Sequence, residues 1–144
     1  MSENSTELEG LQATLDKLVH HREKSKVKGL NLHAFIYFIT IRNLSGRSVT
    51  LKGRKWVLSN DDGTTTVVEG EKIVGETPVI PSGESFSYNS YHVTHLAATA
   101  SGSFHGVDEY EEKIHVRLSP FRLEIPEDLE KSVENPLSWS LPIL

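Results

Sequence analysis

A chain of 144 residues with 37% hydrophobic and 24% charged residues has the size and balance of one globular domain, not of a disordered or fibrous protein. It contains no cysteine, which removes disulfides, thiolate metal sites and cysteine nucleophiles. The net charge of −5 is unevenly spread: residues 17–55 hold ten bases and one acid, whereas fifteen acids and five bases follow from Asp61 onward. Met1-Ser2-Glu3-Asn4 is polar with no apolar run behind it, and no stretch reaches the roughly 18 apolar residues of a membrane span. A cytoplasmic chain without membrane contact is expected.

The first segment, residues 1–28, reads as an amphipathic helical extension. Thr6 and Glu9 have capping-box spacing, and Leu8, Leu11, Leu15, Leu18 and Val19 recur at helical intervals. Arg22, Lys24, Lys26 and Lys28 suit the negative end of a helix dipole, and Gly29 suits its stop. From His33 to Arg42 the composition turns to β-branched and aromatic residues, a strand buried on both faces. Val49 to Leu51 and Lys55 to Ser59 read as two short strands, with Trp56 the largest core residue. Asn60-Asp61-Asp62-Gly63 is a hairpin turn into Thr64 to Val68. Val79-Ile80, the turn Pro81-Ser82-Gly83-Glu84, a strand over Ser85 to Tyr88 and another over Ala98 to Phe104 follow. The last strand runs over Lys113 to Leu118 and Phe121 to Ile125, interrupted at Pro120 and stopped at Pro126. Residues 128–144 form an acidic, then apolar tail whose Trp139, Leu141, Ile143 and Leu144 need cover. A homodimer through helix and tail is a further expectation. So many short strands separated by turn signals define an all-β sandwich of two antiparallel sheets with an added N-terminal helix.

Several segments in order resemble the ApaG domain family: Phe38-Ile39-Thr40-Ile41-Arg42-Asn43, Leu51 to Leu58, the run Val68 to Tyr88, and Gly102-Ser103-Phe104 with Pro120-Phe121-Arg122-Leu123. The resemblance spans residues 29–127. It implies an immunoglobulin-like, fibronectin type III-like β-sandwich that acts as a non-catalytic protein-interaction module, since related domains occur fused to interaction proteins such as F-box proteins. In that family the glycine loop commonly reads G-x-G-x-x-G, whereas here Lys72 takes the central position and only Gly70 and Gly75 remain.

A dinucleotide fingerprint needs a helix N-terminus behind the loop to receive the pyrophosphate, and Pro78 and Pro81 forbid that helix. Glu69, Glu71 and Glu76 also repel phosphate. The loop reads instead as a turn crossing between sheets, and Gly70, Glu71, Lys72, Ile73, Val74, Gly75 and Glu76 form the expected protein-binding surface. The alternative is anion or nucleic-acid binding by Arg42, Arg47, Lys52, Arg54 and Lys55 beside Trp56. A third reading links His92 and His95, three residues apart in an expected loop, to a divalent metal, with His105, Asp108 and Glu109 as further ligands. No cofactor is expected. There is no G-x-S-x-G elbow and no H-E-x-x-H, so the chain reads as a binding protein, not an enzyme.

Overall fold

Alternation of inward and outward residues governs the chain, whose computed structural model describes residues 4–23 and 31–126. The regular elements among those residues are strands: β1 (Thr6–Glu7), β2 (Leu11–Glu23), β3 (Leu32–Asn43), β4 (Val49–Asn60), β5 (Thr65–Glu71), β6 (Val79–Ile80), β7 (Ser85–Thr94), β8 (Ala98–Asp108) and β9 (Lys113–Leu123). Their pairing order is β5-β4-β8-β9-β2-β3-β7, with β1 beside β9 and β6 beside β4. Pairing between β9 and β2 is a single parallel match, Ala13 to Leu118. It hinges a four-stranded sheet, β5-β4-β8-β9, to a three-stranded sheet, β2-β3-β7. The sheets face each other through Tyr37 on Trp56 at 4.8 Å, His92 on Trp56 at 4.9 Å and Tyr88 on Phe104 at 6.0 Å between ring centres. The layer is therefore closed along β9 and β2 and open between β5 and β7.

No helix occurs among the described residues, so the expected N-terminal helix is wrong. Residues Leu11–Glu23 instead pair antiparallel with β3 from Leu11 opposite Asn43 to Glu23 opposite Leu32. The error has a geometric cause. The register slips between Leu15 and Lys17, so Asp16 is an extra residue. Leu11, Ala13 and Leu15 reach the core before this bulge, and Leu18 reaches it afterwards. A period of two with one inserted residue spaces Leu11, Leu15 and Leu18 by four and then three, which imitates a helical stripe. The supposed capping residue Thr6 lies in β1, opposite Ile114. The expected tail contacts of residues 128–144 and Lys24, Lys26 and Lys28 lie outside the described residues.

The same device merges two expected strands into one. β4 runs unbroken from Val49 to Asn60 because a bulge between Leu51 and Gly53 absorbs Lys52. Val49 and Leu51 point inward before it, and Trp56 and Leu58 after it. Pro120 is accommodated likewise, by a register shift opposite Ser101 in β8. Trp56, Phe35, Phe104, Ile39, Ile41, Leu51, Ile73, Ile80 and Leu123 are fully buried between the sheets. Burial of each large apolar side chain contributes about 1.5–3 kcal/mol against the chain entropy of folding.

Candidate functional site

The glycine loop does not cross between the sheets. β5 pairs with the second half of β4, from Gly53 to Ser59, and β6 pairs with its start at Val49 and Thr50. The chain from Glu71 to Val79 thus stays beside one strand, and the crossing comes after Ile80, through the turn at Pro81–Glu84, into β7. Ile73 anchors the loop in the core with no exposed surface. Ile73 and Glu76 exchange backbone hydrogen bonds of 2.7 and 3.0 Å around Val74 and Gly75. Both central residues have positive φ, 50° and 80°, which is the primed turn that fits a twisted ribbon. Gly75 adopts this freely, but Val74 is β-branched and strained there. Lys72, where the family pattern has glycine, also sits at φ 67°.

Arg54 holds the loop from inside. It follows the β4 bulge on the inward face, and its Nη1 donates to the carbonyls of Glu71 at 2.8 Å and Lys72 at 2.9 Å. Gly70 is needed for this approach, since a Cβ there would lie 2.8 Å from Nη1. Its role is proximity, whereas Gly75 supplies backbone freedom.

Around Arg54 the open side of the sandwich forms a cleft of about 160 Å³ lined by Tyr37, Arg54, Glu71, Lys72, Val74, Gly75, Tyr88 and Ser90. Tyr37 comes from β3, Tyr88 and Ser90 from β7, and the rest from β4 and the loop. The Tyr37 hydroxyl is hydrogen-bonded to Ser90, and burial raises its pKa. The Tyr88 hydroxyl is buried and has no hydrogen-bond partner. Burial, followed by neighbouring Tyr37, pushes its pKa far up, so it remains a proton donor. Four of the seven expected loop residues, Glu71, Lys72, Val74 and Gly75, therefore share a cleft with Arg54 from the separate basic set.

The rest of that basic set is dispersed. Arg42 is exposed on β3, Lys52 is exposed in the β4 bulge, and Lys55 alternates with Arg54 onto the outer sheet face. Arg47 donates to Asp108 at 2.9 Å and Glu112 at 3.4 Å and lies over Tyr110. On the outer face Lys55 meets Arg117, Ser101, Ser103 and Ser119 in a shallow groove. The sequence run places five cations close in number, but strand alternation and one bulge turn them to different faces.

His92 and His95 are also separated. β7 continues through Thr94, so His92 lies in a strand, not the expected loop, and is buried against Tyr37 and Trp56. His95 is exposed beyond the strand end. Asp108, offered as a further ligand, instead accepts from the backbone of Tyr110 at 2.8 Å and Glu112 at 3.0 Å. Among the described residues no group of three or more histidines and carboxylates could hold a metal ion. A histidine pair that sequence reasoning passed over does form: His20 Nε2 and His33 Nδ1 lie 2.9 Å apart. Burial first, and then the neighbouring His33, lower His20 to about 4.

Tyr37, Tyr88 and Ser90 were also missed as site residues. The available signal was polarity out of place: Arg54, Tyr88 and Ser90 occupy inward strand positions among apolar neighbours.

Fold and site together define an all-β sandwich domain with a small polar cleft on its open edge. The family profile described as ApaG domain, DUF525, matches residues 23–111, and the chain belongs to that family. Protein ApaG of Vibrio cholerae is 39% identical over 93 residues, covering 64% of this chain and 74% of the relative. Protein ApaG of Klebsiella pneumoniae is 42% identical over 94 residues, covering 65% of this chain and 70% of the relative. Among solved structures, the X-ray structure of a Northeast Structural Genomics Consortium target superposes with a TM-score of 0.71 at 28% identity, covering 87% of this chain and 92% of the other. A crystal structure described as an ApaA protein from Bordetella pertussis shares the fold, with a TM-score of 0.67 at 21% identity, covering 83% of this chain and 98% of the other. Among the described residues no helix is long and apolar enough to cross a membrane.

Proposed function

We propose that this domain is a non-catalytic recognition module that binds a partner protein by adding an extended segment to the free edge of β7. The supporting observation is that edge itself. β7 is ten residues long, Ser85–Thr94, contains no charged residue and no proline, and has β3 as its neighbour among the described residues. Edges are ordinarily blunted by lysine, proline or bulges, because a row of unpaired N–H and C=O groups recruits another strand. The pairing of β7 with β3 runs from Arg42 opposite Ser85 to His33 opposite Thr94 without a register shift, so its outer edge is regular as well as uncharged. The strained loop at Val74 stands beside this edge, where it serves as a second wall for the incoming segment. The three-plus-four arrangement of strands fits the fibronectin type III-like form of the immunoglobulin-like sandwich, which commonly carries interaction surfaces of this kind. We assign the module to the cytoplasm and give it no cofactor.

Selection of a phage-displayed library of random 12-residue peptides on the folded domain tests this reading. Selected peptides are expected to shift backbone amide resonances along β7, and methylation of their alternate backbone nitrogens is expected to abolish binding. Replacing the edge positions Asn89 and Val93 by lysine is expected to weaken binding at least tenfold without unfolding the domain. Binders that leave β7 unshifted, or tolerate methylation at every position, refute strand addition.

A further inference from the structure

The cleft on the open edge holds more hydrogen-bond donors than acceptors. The Tyr88 hydroxyl has no partner. Arg54 commits Nη1 to two carbonyls, and among the described residues its Nε and Nη2 have no hydrogen-bond acceptor. Those two nitrogens form one edge of the planar guanidinium, the fork that meets both oxygens of a carboxylate. Lys72 adds a second cation to the lining, and Glu71 is the one acid, so the lining carries a net charge of about +1, matched by a monoanion.

Position in the sheet says how such an anion arrives. Tyr88 and Ser90 are inward residues of β7, and the cleft lies between them and Arg54 of the opposite sheet. A strand added to β7 lies about 4.8 Å further out, and its side chains alternate in step with those of β7. Every second side chain of the added strand therefore turns inward, and the one beside Tyr88 and Ser90 stands at the mouth of the cleft. We propose that the cleft takes the carboxylate of an acidic side chain in the segment added to β7, with Arg54 Nε and Nη2 and the Tyr88 hydroxyl as its donors. This rests on the strand-addition reading and names the chemistry of the partner: an extended segment with aspartate or glutamate at the position facing Tyr88 and Ser90. Tyr88 and Arg54 then set specificity, because an apolar residue there leaves the buried donors unmet and an amide meets them without the charge-assisted strength of a carboxylate.

Two sets of probes separate this inference from the reading beneath it. Peptides selected as above are expected to carry an acid at that position, and its replacement by glutamine is expected to weaken binding at least tenfold. Tyr88→Phe keeps the ring packing and removes only the hydroxyl. It is expected to weaken the acidic peptide severalfold and to weaken the glutamine peptide less. Arg54→Lys keeps the charge but loses the planar fork and is expected to reduce the preference for the acid, with amide spectra confirming that the loop stays folded. Equal affinity for acidic and glutamine peptides bound along β7 overturns the carboxylate site and leaves strand addition standing. Sodium acetate, a carboxylate without a strand, supplies the independent arm. It is expected to shift the Arg54 Nε–H resonance in the wild type and to shift it less in Tyr88→Phe. If no peptide adds to β7, this acetate response alone supports the site, and its absence overturns it.

Discussion

His92 gives the most direct quantitative test of how the sandwich interior is built. Its ring lies 4.9 Å from both Tyr37 and Trp56, and its Nε2 is buried without a partner. Burial lowers its pKa from 6.5 to about 4, because a cation there faces aromatic rings in place of water. The unfolded chain takes up this proton near the ordinary value and the folded chain only near the lowered one. The stabilisation is thus complete above about pH 6.5 and is lost as the pH falls towards 4. The full difference corresponds to about 3 kcal/mol, of which about 2 kcal/mol is lost between about pH 7.5 and about pH 5. Urea denaturation at these two pH values, followed by far-ultraviolet circular dichroism, measures the loss. His92→Phe keeps a ring in the stack and removes the titration, so its loss over the same interval is expected to be smaller by about 2 kcal/mol. His20 and the carboxylates titrate in both proteins and cancel in this comparison. Equal pH dependence of the two proteins refutes the reasoning, as does an imidazole of His92 that titrates near 6.5 in the folded state by nuclear magnetic resonance.

Three further outcomes are expected. Asn43 is fully buried and bonds the carbonyls of Arg47 at 2.7 Å and Ile80 at 2.8 Å while accepting from the Ser45 backbone at 3.0 Å. Asn43→Ala strands these groups and is expected to cost about 3 kcal/mol in urea denaturation; a loss within experimental error contradicts this. A Cβ on Gly102 would lie 2.7 Å from the Trp56 ring, so Gly102→Ala is expected to cost about 1–3 kcal/mol, whereas Gly46→Ala, with no atom within 4 Å, is expected to be neutral. Equal melting temperatures for those two variants defeat the packing argument. Val74 is exposed and strained at φ 50°, so Val74→Asn is expected to stabilise by about 1 kcal/mol, and a lowered melting temperature counts against the strain.

Much of the β framework was legible because turn chemistry and β-branched runs act locally. The turn at Asn60–Gly63 holds, with the Gly63 N–H donating to the Asn60 carbonyl at 3.0 Å and Gly63 at φ 91°. Trp56 is the core residue that composition suggests, and the order of motifs led to the right family. The N-terminal segment misled because a bulged strand and a helix give the same spacing of leucines over two turns. Nothing in residues 11–23 alone distinguishes them; the partner strand β3 does, by offering twelve residues of backbone to pair with.

The site lay further from reach. The turns and the absence of thiol chemistry follow from composition and from neighbouring residues in the chain. That Arg54 leaves the basic stretch to join the glycine loop, that Lys55 faces the other way, and that Tyr88 lies across the cleft from Arg54 are matters of long-range packing. These choices depend on the bulge at Lys52 and on which sheet each strand enters, and those are settled by pairing between residues distant in sequence.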